Sequence, residues 1–148
     1  NNSFVLDFDV YLGSNDGGAD GIAFGLQQSS SSVGVAGNGM GLGTINPSVG
    51  VYLDTYQNSN LNDPAGDHIS IQKNGDVTHY SSNELAGPMT VSNLEENSFK
   101  RFKIEWNSIT QVFNVYLINM FLLVVMYQEQ HQLISIKKFL HKNQQKHC

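Results

Sequence analysis

The stretch that decides the fold is VYLDTYQNSNLNDPAGDHISI, residues 51–71. It begins as an apolar, β-branched and aromatic run that stops at Asp54. A loop rich in Asn and Asp follows, and alternation of apolar and polar residues resumes at Ile69. Only 14% of the chain is charged, so this concentration of oxygen-bearing side chains between two apolar segments needs a physical reason. The loop is therefore the first candidate for a functional site.

The surrounding sequence has the period of β-strands. Residues 4–12 alternate, which puts Asp7 and Asp9 on one face and the apolar residues on the other. Asn74-Gly75 predicts a hairpin turn with positive φ, and Asn107-Ser108 predicts another. No segment up to residue 118 has helical periodicity, so many short strands separated by turns predict a β-sandwich or jelly roll. The predicted strands are 4–12, 22–27, 48–56, 68–74, 99–107 and 110–118.

Composition limits the class of protein. The 148 residues suffice for one domain with a core. The first hundred residues carry 11 acids and 2 lysines, and this acidic body argues against a nucleic-acid partner. The single cysteine, Cys148, excludes an internal disulfide. The apolar run from Val115 to Tyr127 is interrupted by Asn119 and is shorter than the roughly 20 residues of a membrane helix. We expect a strand there and no membrane span.

The two ends of the chain differ from the rest. It starts with Asn-Asn, without Met or a signal segment, which indicates a fragment or a processed product. All 14 glycines lie at or before Gly87, whereas residues 119–148 contain no Gly, Asp or Pro. We therefore predict a partial β-sandwich at 1–118 and an atypical tail at 119–148. Our hypothesis is that a reading-frame shift produced this tail.

The Asn- and Asp-rich loop between Asp54 and His68, called the acidic loop below, has the donors of a metal site. Asp54, Asn58 and Asp63 offer oxygen ligands, and calcium takes six to eight oxygens at about 2.3–2.6 Å. His68 could add a nitrogen ligand for a transition metal. The same residue types are also the commonest in ordinary turns. From the residues alone, a metal site and a polar turn both stay open.

Three motifs resemble those of one family. VYLDTYQNSNLNDPAGDHISI closely resembles the metal loop of the legume-type (L-type) lectins, ADGIAF (19–24) their Ala-Asp-Gly loop, and GNGMGLG (37–43) their glycine-rich loop. The order of the motifs also matches. The similarity runs from about Ser3 to Leu117 and is closest to bacterial secreted members. It implies an all-β, concanavalin-A-like jelly-roll sandwich, incomplete at its C-terminus, that binds carbohydrate with calcium.

The resemblance also implies residue roles. Calcium would be bound by two carboxylates, one amide oxygen and one backbone carbonyl, from Asp54, Asp63, Asn58 and Tyr56. A sugar would be held by Asp20, a backbone N–H of Gly39 or Gly41, the Asn58 amide and the Tyr56 ring. Glycine suits its place because the backbone can approach a ligand closely there. The family usually holds the Ala19-Asp20 peptide in the cis form.

One departure concerns the second, transition-metal site of the family. Its glutamate falls on Tyr52, and a neutral phenol is a poor replacement for a carboxylate. We expect calcium to be retained and manganese to be weak or absent. His68 then has two interpretations, a metal ligand beside Asp54 and Asp63, or a histidine that caps a turn at a strand end.

Two other functions are considered for such a β-sandwich, a glycoside hydrolase and a structural or adhesive domain. Glycoside hydrolases share this general fold, but the related β-glucanase carboxylates would fall on Tyr52, Asp54 and Gln57, so both glutamates are missing. We therefore expect no enzyme. A structural or adhesive sandwich without sugar binding stays open. The favoured expectation is a lectin module that binds a glycan or polysaccharide, placed outside the cell or at its surface by the resemblance.

Overall fold

The computed structural model describes residues 2–117 and, as backbone alone, residues 120–126. Its regular structure in that part of the chain is almost entirely β. The strands are β1 Phe4–Val10, β2 Gly21–Gln27, β3 Ser48–Asp54, β4 His68–Lys73, β5 Glu84–Thr90, β6 Lys100–Asn107, β7 Val112–Leu117 and β8 Met120–Met126. Two short 3-10 turns cover Gly37–Gly39 and Ser59–Leu61.

The strands form two four-stranded antiparallel sheets in two compact units. One unit comprises residues 1–10 and 100–148 and contains the terminal sheet, with strand order β1-β6-β7-β8. The other comprises residues 11–99 and contains the central sheet, with order β2-β3-β4-β5. The all-β prediction is confirmed.

The terminal sheet follows the alternation seen in the sequence. Phe8 lies opposite Phe102, and their rings meet edge to face at 5.7 Å. The other face carries charges, because Asp7 and Asp9 lie opposite Lys103 and Arg101. Trp106 alternates with Phe102 and Ile104 along β6, and its ring centroid lies 4.6 Å from that of Phe113.

The central sheet differs because its two middle strands are buried on both faces. One face is apolar, formed by Val51, Leu53, Ile69 and Ile71, each at most 2% exposed. The opposite face is polar and almost as deeply buried, and it comprises Tyr52, Asp54, His68, Ser70 and Gln72. Burying polar groups is costly unless each finds a partner. This buried polar face, formed by β3 and β4, positions the candidate site.

The turn after β4 was only partly predicted. Asn74 and Gly75 have φ of 62° and 64°, as expected, but the next strand begins at Glu84 rather than directly after the turn. A loop of residues 74–83 lies between. Strand β5 was not predicted because Gly87 and Pro88 interrupt it, and such residues are tolerated at the end of the strand order, where β5 lies.

Of the predicted tail, residues 119–148, the structure describes only residues 120–126. Strand β8 pairs with β7, so residues 115–117 and 120–126 of the apolar run form strands, as expected. Residues 127–148 lie outside the described residues. The domain boundary at 118 and the reading-frame hypothesis stay predictions.

Candidate functional site

The site starts where β3 ends. In the sheet register Asp54 lies opposite Gly21 of β2 on one side and opposite His68 of β4 on the other. Gly21 has φ of 133° and no space for a side chain against the backbone of Leu53, so β2 approaches β3 closely. The Thr55 N–H donates to the Asp20 carbonyl at 3.0 Å. The fold therefore brings together Asp20 and Asp54, which are far apart in sequence.

The acidic loop closes on its own backbone. Asp54 Oδ1 accepts from the Tyr56 N–H at 2.9 Å, and Asp63 Oδ2 accepts from the Asn58 N–H at 2.7 Å. The 3-10 turn at Ser59–Leu61 and a left-handed residue, Asn62 with φ of 64°, return the chain between them. The two carboxylates therefore reach the same region from the two ends of the loop.

The buried negative charge around Asp54 would be stabilised by a cation. Burial raises the pKa of Asp54 to about 7; the hydrogen bond from Tyr56 opposes this, and the charges of Asp63 and Asp20 add to it. Asn58 Oδ1 is buried without a hydrogen-bond partner among the residues that the structure describes. A buried, unpaired amide oxygen beside two carboxylates is a donor set for a hard cation. The predicted residues thus fit calcium.

Two histidines, His68 and His79, lie close to the carboxylates of Asp54 and Asp63. His68 Nε2 is 3.8 Å from Asp54 Oδ2 and 2.9 Å from Nε2 of His79. His79 Nε2 is 3.4 Å from Asp63 Oδ1, and its Nδ1 is 2.6 Å from Glu84 Oε1. Each histidine is at most 3% exposed. His68 Nδ1 is 3.1 Å from the Gly66 carbonyl. The His68 ring therefore contacts the turn through Nδ1 and the Asp54 carboxylate through Nε2.

Tyr52 is not part of this group of ligands. Its side chain is 2% exposed, and burial, with a smaller effect of Asp76, raises its pKa to about 12. The phenol is therefore neutral over the physiological range. The Asp63, His68 and His79 donor atoms all lie within 4.8 Å of one another, and Tyr52 contributes none of them.

Asp20 opens onto a cleft of about 440 Å³. A Cβ added to Gly37 would lie 3.5 Å from Asp20 Oδ2, so this glycine is the one beside the carboxylate. The N–H groups of Gly39 and Gly41 donate to carbonyls within the loop, at 3.4 and 2.9 Å. Two sides line the cleft, Ala19, Asp20 and Gly21 on one and Val33, Gly34, Ala36, Gly37, Met40 and Gly41 on the other. The Ala19-Asp20 peptide is cis, as expected.

The sequence did not point to His79 or Glu84, yet a signal for His79 was present. A tight hairpin at Asn74-Gly75 would place His79 opposite Ser70, on the same face as His68 and Asp54. The actual loop is longer, but it returns His79 to that face. Glu84 carried no comparable signal, because the strand that holds it was not predicted.

Tyr56 and Asn58 lie in the acidic loop and are not among the residues that line the cleft beside Asp20. The Tyr56 ring is 45% exposed, and the Asn58 backbone is tied to Asp63. Among residues 2–117 and 120–126, the structure contains no helix with the length and apolar character needed to cross a membrane.

Comparison with solved structures shows the same fold. The basic winged bean lectin, solved with Tn-antigen, is 22% identical, with a TM-score of 0.59 over 84% of this chain and 48% of that one. Peanut lectin with a 9mer peptide is 28% identical, with a TM-score of 0.55 over 78% and 50%. A lectin from Bauhinia forficata in complex with GalNAc is 19% identical, with a TM-score of 0.62 over 91% and 57%. The chain thus spans about half the length of these lectins.

These likenesses confirm the jelly-roll sandwich as the fold class. The family model of the legume lectin beta-barrel domain matches residues 1–147. Lectins recognise carbohydrate without transforming it, so family and neighbours alike are non-enzymatic. The chain belongs to the legume lectin beta-barrel domain family.

Proposed function

We propose that this chain binds carbohydrate in a calcium-dependent manner at the cleft beside Asp20. The observation that carries the proposal is the strand register that sets Asp20 next to Asp54. A sugar in the cleft and an ion in the acidic loop would therefore act on neighbouring residues. Binding would depend on preorganisation, because the ion fixes a loop that contacts the sugar.

Calcium would be held by Asp54, Asp63, the Asn58 amide oxygen and the Tyr56 carbonyl. The unpaired Asn58 Oδ1 supports this role, because an ion would satisfy it. The raised pKa of Asp54 supports it too, since a divalent cation would favour the ionised carboxylate. When bound, the ion supplies charge compensation and loop order rather than a chemical step.

The sugar would be held from two sides of the cleft. Asp20 would accept hydrogen bonds from sugar hydroxyls, while Asn58 and the half-exposed Tyr56 ring contact it from the acidic loop. Gly41 would line the opposite wall, and Gly39 would shape the loop, because a side chain there would collide with Val35. The N–H groups of Gly39 and Gly41, predicted to face the sugar, donate to carbonyls within the loop. We therefore propose Gly37, which lies beside Asp20, as a further backbone donor.

The ligands of two structural neighbours suggest the first saccharides to test. The Bauhinia forficata lectin was solved with GalNAc and the winged bean lectin with Tn-antigen. We propose GalNAc and Tn-antigen as first probes, and an extracellular or cell-surface location for the protein.

A glycan array, followed by calorimetry of the best binder, tests the proposal on the full chain. Binding should occur with calcium and disappear with a chelator. Asp20→Ala should remove sugar binding and leave the heat of calcium binding unchanged. Asp16→Ala is the matched control, because Asp16 is an exposed acid of the preceding loop that pairs with Asn93. A wild-type chain that binds calcium but no glycan would favour the structural or adhesive sandwich instead.

A further inference from the structure

The histidine pair has an unusual hydrogen-bond state. His68 Nδ1 faces the Gly66 carbonyl at 3.1 Å, and His79 Nδ1 faces Glu84 Oε1 at 2.6 Å. A carbonyl can only accept a hydrogen bond, so His68 Nδ1 carries the proton. The 2.6 Å contact assigns His79 Nδ1 as donor to Glu84, with Gln72 Nε2 at 3.4 Å from the same atom. In the neutral rings both Nε2 atoms then present lone pairs. These two lone-pair atoms are 2.9 Å apart.

The carboxylates of Asp54 and Asp63 lie close to the same two nitrogen atoms. Asp63 Oδ1 is 3.4 Å from His79 Nε2, and Asp54 Oδ2 is 3.8 Å from His68 Nε2. The donor atoms of Asp63, His68 and His79 lie within 4.8 Å of one another, and Asp54 approaches them on the His68 side. Every one of these side chains is at most 8% exposed. In the described part of the chain no lysine or arginine forms an ion pair with either aspartate. A buried cluster of acceptors without a donor is unfavourable unless a cation lies among them.

The donor types indicate which cation. Imidazole nitrogen suits zinc and its neighbours, whereas sites made of carboxylate, carbonyl and water suit magnesium, calcium and manganese. Four ligands at about 2.0–2.1 Å from a tetrahedral zinc ion lie roughly 3.3 Å apart. Three of the six separations that such a site requires are given by the contacts of the two histidines, and at 2.9, 3.4 and 3.8 Å they are close to that value.

The surroundings of His79 have a further property of zinc sites. A histidine ligand usually donates its other ring N–H to a carboxylate or carbonyl, which fixes the ring orientation. Glu84 provides this for His79 and is itself held by the Tyr80 N–H at 2.7 Å. The Gly66 carbonyl does the same for His68.

We propose that His79 joins His68, Asp63 and Asp54 in a tetrahedral site for a zinc-class divalent cation, with Glu84 orienting the His79 ring. The family's second metal site, as the resemblance implies it, has a glutamate where this chain has Tyr52. Here an imidazole from the loop of residues 74–83 takes over from that carboxylate. The donor set thereby changes from oxygen-rich to mixed nitrogen and oxygen, and manganese should be disfavoured. The proposal does not rest on sugar binding.

The test begins from a parent variant of the full chain, His131→Ala/His141→Ala/His147→Ala/Cys148→Ser. It removes every histidine and cysteine other than His68 and His79, so zinc bound elsewhere on such side chains cannot confuse the result. Competition with a chromophoric zinc chelator gives stoichiometry and affinity. We expect one zinc per chain and much weaker manganese. Cobalt(II) should give the intense visible absorption of tetrahedral coordination.

Two further variants of this parent test the ligand assignment. His79→Ala should weaken zinc binding at least 100-fold and abolish the tetrahedral cobalt spectrum, while circular dichroism stays that of the parent. Glu84→Gln should weaken zinc binding about 10- to 100-fold, since it removes the carboxylate behind the ligand. Glu95→Gln is its control, because Glu95 is a buried carboxylate away from the cluster, and it should change nothing.

The outcomes that would overturn the proposal are equally specific. Absence of zinc binding by the folded parent would mean that a shared proton, not a metal, joins the two rings. Unchanged zinc affinity in His79→Ala, or an octahedral cobalt spectrum in the parent, would exclude His79 as a ligand in a tetrahedral site. Unchanged affinity in Glu84→Gln would remove the positioning role of Glu84. None of these readouts uses calcium or sugar, so failure here is separate from failure of the proposed lectin function.

Discussion

The two sheets each have an apolar face and a polar face, but they treat charge in opposite ways. On the terminal sheet, acids and bases alternate and neutralise one another. Arg101 Nε is 2.6 Å from Asp7 Oδ1, and Lys103 Nζ is 2.9 Å from Glu105 Oε1. A hydrogen bond from Lys103 holds the pKa of Glu105 below its usual range. These groups are 30–51% exposed, so water shares their solvation.

On the central sheet, the polar face holds acids and histidines without a lysine or arginine partner among the described residues. Its carboxylates are buried, and burial raises the pKa of Asp54 to about 7. A carboxyl group is therefore kept ionised on one sheet and pushed toward protonation on the other. The difference shows where a partner from outside the chain is needed. We infer that the self-neutralised face is structural and that the uncompensated buried face is where a cation would bind.

The largest effect is expected from removing the central acid. Asp54→Ala should lower calcium affinity by at least 100-fold, because it removes a buried carboxylate ligand, and sugar binding should be lost with it. Calorimetry with calcium and then with glycan measures both. Asp7→Ala, on the polar face of the terminal sheet, is the matched control and should bind both as the wild type does. Glycan affinity retained by Asp54→Ala would contradict the mechanism.

A second effect is stabilisation by the ion. Calcium at 100 times its dissociation constant should raise the free energy of unfolding by about 2.7 kcal/mol, provided that only the folded chain binds it. Thermal or urea unfolding with calcium and with chelator gives the difference. Asp54→Ala should show almost none. An equal stabilisation of both proteins would mean that calcium binds elsewhere.

A smaller effect concerns the loop that carries His79. Asp76 accepts hydrogen bonds from the Thr78 N–H, Ser81 Oγ and Asn83 Nδ2, at 2.8–3.0 Å. Burial raises its pKa, but these hydrogen bonds outweigh burial and hold the pKa below its usual range. Asp76→Asn should cost about 1 kcal/mol at pH 7, since an amide cannot accept all three.

The sign of the pH dependence follows from that lowered pKa. Asp76 contributes stability that is present above the carboxyl's ordinary pKa and is lost as the pH falls through its lower value in the folded chain. The difference between wild type and Asp76→Asn should therefore shrink in strongly acidic solution. Urea unfolding at pH 7, 5 and 3 measures it. A difference that stays constant down to pH 3 would argue against an ionised Asp76 in the folded loop.

The smallest effect is expected on the terminal sheet. Glu105→Gln removes an ion pair with Lys103 and weakens the hydrogen bond from Tyr116. Partly exposed pairs of this kind contribute about 0.2–1 kcal/mol, and salt reduces them. Unfolding at low and high salt checks this value. A loss as large as that expected for the buried acids would mean that the two polar faces differ less than we infer.

Much of the fold followed from the sequence because period and turn chemistry are local properties. Alternation in residues 4–12 and the Asn74-Gly75 turn predicted β1 and the positive φ correctly. Strand β5 was missed because its neighbours, rather than its own composition, make Gly87 and Pro88 part of a strand. Its absence also concealed Glu84.

The site was predictable to the extent that it lies within one stretch. Asp54, Asn58 and Asp63 come from a single loop, and Asp20 was named through the motif resemblance. His79 depends on the path of a loop that returns to β4, which spacing alone does not determine. Long-range placement of this kind is decided by packing of the whole unit rather than by local preference.

The two aspartates of the acidic loop each face two ways. Asp54 and Asp63 each give one oxygen to the loop backbone and turn the other toward the histidine pair. Ions held on the two sides would share these anchors, so each ion would set the geometry that the other meets. Thermodynamic linkage then requires reciprocity. The factor by which bound zinc changes the calcium affinity equals the factor by which bound calcium changes the zinc affinity. Protein stripped by a chelator should regain both ions together, and its sugar affinity would report on the pair.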